Sequence, residues 1–194
     1  MAIMTDMTEK KTDRRVKYTR MVITNSFIKL LGEKPISKIS VKEICELADV
    51  NRATFYKHYA DPHDLLGKVE QELIADVNMY LYGMQYGNMD PAAVNTLEKI
   101  FKYIRENAEL CRIMLSDSSD LSFRNKIVEV VQHECIRAWN ETNLILPDNA
   151  EYAFIFAAFG SVGIIQKWMD DGMKKSDREM AELISNMTSR GILA

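Results

Sequence analysis

The side chains best suited to bind another molecule lie in residues 40–59, SVKEICELADVNRATFYKHY. Arg52 can donate two hydrogen bonds to the edge of a guanine, and Thr54 can contact a base or a thymine methyl group. The next three polar side chains are suited to bind phosphate oxygens: Tyr56, Lys57 and His58. Contacts to phosphates position a protein on a duplex without reading its sequence. The predicted chemistry is therefore recognition of double-stranded DNA.

Two short helices are predicted to position these side chains. Ser40 and Glu43 form a capping box that opens a helix through Leu47, and Asn51 caps a second helix that runs to about Tyr59. Five apolar residues are expected to lock the two helices together: Val41, Ile44, Leu47, Val50 and Phe55. The outward side chains at the start of the second helix are then Asn51, Arg52, Ala53 and Thr54. This pattern predicts a helix-turn-helix motif, whose second helix enters a major groove.

Catalytic and metal-binding patterns are not found in the sequence. His133 and Cys135 are two residues apart and would point to different faces of a helix, and His58 and His63 lack the spacing of a zinc site. The three cysteines form neither a disulfide framework nor a CxxC pair: Cys45, Cys111 and Cys135. We therefore predict no enzyme activity, no metal and no cofactor. A redox-sensing role for Cys111 or Cys135 is an alternative to a buried, inert thiol.

Composition narrows the class of protein. The chain has 194 residues, of which 47% are hydrophobic and 27% charged, as in a globular protein that buries a core. Residues 1–60 carry 12 Lys or Arg against 7 Asp or Glu, whereas residues 61–194 carry 13 against 21. This asymmetry predicts an anion-binding face in the first third, with chance unevenness of surface charge as the alternative. We find no apolar run near the roughly 20 residues of a membrane helix and no secretory leader, so a reducing intracellular setting is expected.

Hydrophobic periodicity predicts helices along the whole chain. Residues 12–32 form one amphipathic helix, with apolar residues at helical spacing: Val16, Ile23, Phe27, Leu30 and Leu31. Asp61, Pro62 and Asp64 open a long helix, and Gly and Pro residues suggest a boundary near residues 85–91. Further helices are predicted at residues 91–106, 108–116, 120–141, 148–171 and 176–190. The predicted fold class is all-α.

Residues 12–72 resemble the DNA-binding domain of the tetracycline-repressor (TetR/AcrR) family of bacterial transcription regulators. The resemblance rests on YTRMVITNSFIKLL in the first helix, ISVKEICELADV in the second and NRATFYKHY in the third, with TFYKHY followed by DLL as its most specific part. It implies an N-terminal three-helix DNA-binding domain, residues 12–72, with its helix-turn-helix at about 40–59. A long helix would join it to a C-terminal ligand-binding and dimerisation domain, residues 73–194.

The resemblance implies DNA contacts at seven positions: Ser40, Lys42, Arg52, Thr54, Tyr56, Lys57 and His58. Simpler interpretations stay open for three of them, with Tyr56 as a core aromatic, His58 as a packing residue and Lys42 as a solvated charge. Two residues depart from the family pattern. Asp49 replaces the usual Gly of the turn, but Asp tolerates left-handed backbone geometry better than most residues. Pro62 replaces a Lys, so one phosphate contact typical of the family is not provided.

The last two helices are the predicted dimer interface. Residues 153–173, AFIFAAFGSVGIIQKWMDDGM, are apolar around most of the helix and include small residues that allow close helix approach. A symmetric dimer is expected because one helix-turn-helix reads too few base pairs for specificity. The residues assigned to this interface are Ala157, Gly160, Gly163, Ile164 and Trp168. The alternative is a helix buried inside its own monomer.

The remaining helices are expected to enclose a cavity for an effector. Its candidate lining residues are large, adaptable or aromatic: Met79, Tyr82, Tyr86, Tyr103, Met114, Phe123, Trp139 and Phe156. The twelve Met residues suit a pocket that changes shape, since thioethers fill irregular space. The same residues at helical spacing are also explained as ordinary core.

These observations and the resemblance predict a homodimeric transcriptional repressor in the bacterial cytoplasm, associated with the nucleoid when bound. Its partners would be a palindromic DNA operator, a second copy of the chain and a small hydrophobic or amphipathic effector, with no membrane. Two alternatives stay open. One is a regulator of the same fold controlled by a protein partner or a redox change, and the other is an adaptor protein that has lost DNA binding.

Overall fold

The computed structural model describes residues 2–81, 91–115, 125–133 and 147–192, and every regular element in these ranges is helical. The helices are α1 (Ala2–Glu33), α2 (Val41–Leu47), α3 (Arg52–Tyr56), α4 (Pro62–Leu81), α5 (Pro91–Glu106), α6 (Ala108–Leu115), α7 (residues 125–133), α8 (Pro147–Asp170) and α9 (Asp177–Ile192). A 3-10 turn, Ile36–Lys38, precedes α2. The all-α prediction is confirmed.

Contacts divide the chain into an N-terminal unit, Met1–Gln71, and a C-terminal unit, Glu72–Ala194. Helix α4 contributes residues to both units, so the division falls inside a continuous helix. The boundary suggested near residues 85–91 lies almost wholly outside the described residues.

The N-terminal unit is built around apolar side chains from its four helices. Its buried residues include Ile23 and Phe27 of α1, Ile44 of α2, Phe55 of α3 and Leu65 of α4. Two residues predicted to join this core do not do so, since Val16 and Leu47 are exposed. On α2 the neighbouring buried position is occupied by Cys45 instead, because the seven-residue helix turns only one narrow face toward α1 and α3.

Two of the predicted helix boundaries need correction. Helix α1 begins at Ala2, which is nearly three helical turns before the predicted start at residue 12. Helix α3 ends at Tyr56 rather than near Tyr59, because the backbone N–H groups of both His58 and Tyr59 bond to the carbonyl of Phe55, which tightens the chain into a turn.

The core of the C-terminal unit forms where α5 packs against α9 and the end of α8. Phe101 is fully buried and meets the ring of Trp168 edge-on, with 5.3 Å between the ring centroids. Met169, Met180 and Ile184 are buried in the same cluster. An edge-to-face pair of this kind contributes about 0.5–1.5 kcal/mol beyond its area burial, so it fixes the end of α8 against α5.

Arg105 of α5 holds the connection between α8 and α9 in place. Its Nε donates to Asp177 at 2.7 Å, and its two terminal nitrogens donate to the carbonyls of Met173 and Lys175. The guanidinium carbon lies 4.9 Å from the ring centroid of Trp168. The single guanidinium therefore hydrogen-bonds two carbonyls of the turn and the carboxylate of the first residue of α9. A second capping box, Ser176 with Glu179, opens α9.

Helix α8 is apolar enough to need separate comment. Glu151–Asp170 has 20 residues with a mean hydropathy of 1.2, so by length and composition it could cross a membrane. The expectation that no apolar run approaches this length was therefore wrong. One such helix is weak support for a membrane span, because helices in protein cores and interfaces pass the same test, and its end at Trp168 and Met169 is buried in the C-terminal unit.

The turn between α2 and α3 requires a left-handed residue. Asp49 has a φ of 52°, the geometry for which the sequence allowed Asp in place of Gly, and that prediction is confirmed. This conformation brings the N–H of Val50 to 3.0 Å from the carbonyl of Cys45. The turn thus sets the angle between α2 and α3 without glycine.

We predict that Asp49→Val lowers the free energy of unfolding by about 1–3 kcal/mol, because a β-branched residue is strongly strained at this φ. Asp49→Gly should stay within about 1 kcal/mol of the wild type, since relief of strain is offset by greater freedom of the unfolded chain. Chemical denaturation followed by circular dichroism measures both. Equal stability of the Val and Gly variants would contradict the left-handed geometry.

Candidate nucleic-acid interface

Helix α2 starts at a capping box tied to the end of α1. The backbone N–H and the hydroxyl of Ser40 both donate to a Glu43 carboxylate oxygen, and the N–H of Glu43 donates back to the hydroxyl. The other carboxylate oxygen of Glu43 accepts from the ammonium of Lys34. These donors, with Lys34 first and Ser40 next, lower the pKa of Glu43 from 4.5 to about 2. The network fixes Ser40 and the exposed Lys42 at the start of α2.

Helix α3 starts at Asn51, whose side-chain oxygen accepts from the backbone N–H of Thr54 at 2.7 Å. The same oxygen accepts from the hydroxyl of Thr54 at 2.9 Å. The cap was predicted, but the second bond was not. Because the hydroxyl proton of Thr54 is used in the cap, this side chain offers an oxygen lone pair and a methyl group to a binding partner.

The outward face of α3 is exposed as the sequence predicted. Arg52, Ala53 and Lys57 lie on the surface, while Phe55 is fully buried on the opposite side. Tyr56 is 57% exposed, which argues against the interpretation of this ring as a core aromatic. Helix α3 therefore has an exposed polar face, and its opposite face is packed in the core.

Lys68 of α4 holds the chain that follows α3. Its ammonium donates to the carbonyl of His58 at 2.8 Å and to Asp64 at 2.9 Å, and it lies 5.2 Å from the ring centroid of the buried Tyr59. Asp64 in turn accepts from the N–H of Ala60. Sequence reasoning missed Lys68; its spacing of four residues from Asp64 indicated a helical ion pair but not the longer contacts.

His58 is half-buried among positive charges. Burial is the main cause that lowers its pKa, and the charges of Arg20, Lys57 and Lys68 lower it further. The neutral form of His58 is therefore favoured, and a neutral imidazole can donate one hydrogen bond to an oxygen. The contribution of Arg20 places the middle of α1 close to the end of α3, a proximity that sequence reasoning did not find.

The start of α4 was also predicted in detail. The carboxylate of Asp61 accepts from the backbone N–H groups of His63 and Asp64, with Pro62 at the first helical position. No Lys or Arg stands at this helix start, and His63 beside Pro62 is only a weak substitute for the phosphate contact that Pro62 displaces.

The predicted effector-lining residues lie in different environments. Met114 is buried and Tyr103 is half-buried, and burial together with a hydrogen bond to Asp76 raises the pKa of Tyr103. Met79 and Phe156 are 64% and 68% exposed. Four of the predicted residues lie outside the described part of the chain: Tyr82, Tyr86, Phe123 and Trp139. The pocket stays a prediction.

The residues assigned to a dimer interface divide into two groups. Gly160 and Gly163 are exposed on α8, and Ala157 and Ile164 are half-buried. Trp168 is only 4% exposed and packs inside its own chain, so it offers almost no surface to a second copy and is removed from the predicted set. Four large apolar side chains of the same helix are exposed: Tyr152, Ile155, Phe156 and Phe159. None of them was assigned to the interface, and Phe156 was assigned to the effector pocket.

The described cysteines are buried. Burial raises the pKa of Cys45, and it raises the pKa of Cys111 to about 12. Thiols held in the protonated form react slowly with oxidants, which favours the inert interpretation of Cys111 over a redox sensor. Cys135 lies outside the described residues. Within the described ranges, no group of three or more His, Cys, Asp or Glu is arranged to hold a metal ion.

The chain matches a known family over its second half. The family TetR_C_8, the transcriptional regulator C-terminal region, covers residues 93–190, just over half of the chain. The chain therefore belongs to the TetR family, which is a family of transcriptional regulators and not of enzymes. This confirms the resemblance inferred from the first 72 residues by an independent part of the sequence.

Individual relatives agree with this assignment. The chain is 37% identical over 70 residues to the uncharacterized HTH-type transcriptional regulator YxbF of Bacillus subtilis, a match covering 36% of this chain and 18% of YxbF. A second HTH-type regulator, from Haemophilus influenzae, is 23% identical over 131 residues, 62% of this chain and 60% of that protein. The chain thus spans less than two thirds of the length of either of these curated relatives.

Solved structures share the fold. NalD of Pseudomonas aeruginosa, the secondary repressor of the MexAB-OprM multidrug efflux pump, aligns with a TM-score of 0.68 and 17% identity over 92% of this chain and 98% of NalD. SmeT in complex with triclosan aligns with a TM-score of 0.71 and 15% identity over 91% of this chain and 92% of SmeT. At these identities the alignments establish the fold.

We predict that Glu43→Gln destabilises the protein at neutral pH and that the difference from the wild type is lost under acid. The pKa of Glu43 is lowered by folding, so its contribution is complete above about pH 4.5 and disappears as pH falls toward 2. Urea unfolding from pH 7 to 2 measures this. Glu46→Gln, which removes only an exposed pair with Lys42 at 3.7 Å, is the control and should show a small difference at every pH. A pH-independent difference for Glu43→Gln would contradict the assigned network.

Proposed function

We propose that the chain is a homodimeric, sequence-specific DNA-binding repressor that leaves its operator when a small hydrophobic or amphipathic effector binds. The observation that carries this proposal is the face of α3, a capped helix with exposed Arg52, Ala53 and Lys57 on one side and a fully buried Phe55 on the other. A helix of this form can be inserted into a major groove without exposing core.

Base reading is assigned to the first turn of α3. Arg52 is exposed and can reach the O6 and N7 acceptors of a guanine, and the methyl group of Thr54 can contact a thymine. Asn51 caps the helix and holds the side chain of Thr54 in place. Ala53 is small enough to let the helix approach the floor of the groove.

Backbone contacts are assigned to residues on either side of this turn. Ser40 and Lys42 stand at the N-terminus of α2, and Tyr56, Lys57 and His58 stand at the end of α3. Lys42, Tyr56, Lys57 and His58 can donate to phosphate oxygens and fix the register of α3 without reading bases. The donors of Ser40 are bonded to Glu43, so its part at the duplex is to hold the start of α2, with Lys42, in place. The first 60 residues carry a net positive charge, which supports DNA binding by this part of the protein.

Dimerisation is assigned to α8 and α9. Helix α8 has several exposed apolar side chains, and α9 has one at Met187, which is 52% exposed. Gly160 has open space around the position that a Cβ would occupy, and so does Gly163, so a second helix can approach closely at both residues. Exposed apolar side chains grouped on one helix are typical of a protein interface. A symmetric dimer would cover them with the same helix of a second copy.

Effector control is assigned to the C-terminal unit and to α4. SmeT, which shares this fold, forms a complex with triclosan, and NalD is a repressor. An effector that binds the C-terminal unit would displace α4, which continues into the N-terminal unit, and would change the separation of the two α3 helices of the dimer. A coupling free energy of about 1–3 kcal/mol changes DNA affinity about five- to 150-fold. We place the protein in the cytoplasm, at the nucleoid when bound.

The decisive experiment is titration of the purified protein against duplex DNA from upstream of its own gene, with a scrambled duplex of equal length as the control. The expected result is preferential binding to the first duplex with two chains per site. Absence of binding to both duplexes at low salt would overturn the proposal and favour the adaptor alternative. If the protein binds DNA, thermal-shift screening with apolar compounds then distinguishes control by a small effector from control by a protein partner. Stabilisation that saturates with compound concentration indicates an effector.

We predict that Arg52→Ala weakens operator binding by about 1–3 kcal/mol and relaxes the preference at one base pair, because a bidentate guanine contact is lost. Lys57→Ala is the matched comparison and should weaken binding to operator and scrambled duplexes alike, with a salt slope lower by about one unit. Competition binding with single-base operator variants measures both. A uniform loss for Arg52→Ala would assign Arg52 to the backbone instead.

We predict that Phe159→Asp dissociates the dimer. Phe159 is 56% exposed in the single chain, and burial of a Phe contributes about 1.5–3 kcal/mol. Because a two-fold interface loses it twice, the dimer Kd should rise by about 100-fold or more. Sedimentation velocity over a concentration series measures this. Leu47→Asp, an exposed apolar residue of the N-terminal unit, is the control and should leave the dimer intact.

A further inference from the structure

Residues 14–20, in the middle of α1, form a basic surface that the assigned DNA contacts do not include. Residues 10–20, KTDRRVKYTR with the preceding Lys, contain six Lys or Arg and one Asp. Among the side chains described there, Arg14, Arg15, Lys17 and Arg20 are all exposed. Among the described side chains of α1, the first buried one is Ile23, so the basic side chains that precede it lie on an exposed part of the helix.

Three of these cations form a continuous stripe. Arg14, Lys17 and Arg20 follow one another at intervals of three residues, which places each next to the previous one on the surface of a helix. The six residue steps from Arg14 to Arg20 correspond to a rise of about 9 Å along the helix axis. That length corresponds to between two and three base-pair steps of a duplex, at 3.4 Å per step.

The stripe ends beside the recognition helix. Arg20 lies close enough to His58 for its charge to act on that imidazole, and Lys57 is the adjacent residue. The stripe therefore continues from the end of α3, where the backbone contacts of the proposed function are placed. The start of α4 has no Lys or Arg between Asp61 and Asp64, so on this side of the N-terminal unit the added positive charge comes from α1.

We propose that Arg14, Lys17 and Arg20 bind phosphates of the DNA backbone and extend the contact surface of Lys57 and His58 along α1. The proposal rests on the proposed function, since it assumes that α3 faces the duplex. DNA backbone is the chosen partner because its negative charges repeat along a line, as the three cations do, and because the stripe is contiguous with the other backbone contacts. Phosphate contacts carry no sequence information, so this surface contributes affinity and not specificity.

The test is the salt dependence of DNA binding. Neutralising one phosphate contributes about 0.9 units to the slope of log K against log salt on duplex DNA. The variant Arg14→Gln with Lys17→Gln and Arg20→Gln should therefore lower the slope by roughly two to three units, with the ratio of operator to scrambled affinity unchanged. Arg14→Lys with Arg20→Lys keeps the charge and should retain the wild-type slope.

A matched control separates local contact from net charge. Lys99→Gln with Lys102→Gln and Lys174→Gln removes three exposed cations from the C-terminal unit and should leave the slope within about half a unit. Thermal unfolding checks that each variant is folded. If the triple α1 variant is not, the single variants Arg14→Gln and Lys17→Gln replace it, each with an expected loss of about one unit.

The outcomes are distinct. An unchanged slope in the α1 variants, with the wild type binding its operator preferentially, would overturn this inference and leave the proposed function intact. An equal loss of slope in the Lys99, Lys102 and Lys174 variant would also overturn it, because the effect would then follow net charge. Failure of the wild type to bind either duplex would overturn the proposed function, and this inference with it.

Discussion

The N-terminal unit depends on how a five-residue helix is held, because a helix as short as α3 has too few internal hydrogen bonds to be stable alone. Three contacts supply what it lacks. Asn51 closes its first turn, Phe55 anchors its inner side, and Lys68 fixes the carbonyl of His58 just beyond its end. Since Lys68 belongs to α4, the direction of the exposed face of α3 is set by the helix that also enters the C-terminal unit.

The parts of this arrangement that the sequence predicted are local. Capping boxes, the Asp61 cap and the left-handed Asp49 depend on residues within four positions of one another, so residue type and spacing are sufficient to find them. The exposure of Leu47 and the place of Lys68 depend on which side of each helix meets another helix, and spacing alone does not determine that. The proximity of Arg20 to His58 joins residues 38 positions apart, which only the tertiary structure could reveal.

In the C-terminal unit, helix α8 shows the same difference between what the sequence predicts and what tertiary packing decides. The end of α8 is fixed inside the unit by Trp168 and the Arg105 network, while its earlier part carries exposed aromatic side chains. The sequence indicated an apolar helix, but it could not separate the part that packs within the chain from the part that does not. That is why Trp168 was assigned to an interface and Phe159 was not. The proposed dimer gives the exposed part of α8 an apolar partner and accounts for a composition close to that of a membrane span.

The hydrogen bond between Thr54 and Asn51 limits what α3 can recognise. With its hydroxyl proton committed to the cap, Thr54 has no donor for the acceptor-rich edge of a guanine, and it can only accept from the amino group of a cytosine or adenine or pack against a methyl group. Arg52 has the opposite character, since a guanidinium can only donate. Adjacent positions of an operator would then be read by complementary chemistries. Since 5-methylcytosine carries its methyl group where thymine does, epigenetic modification of a cytosine facing Thr54 would add an apolar contact rather than block one.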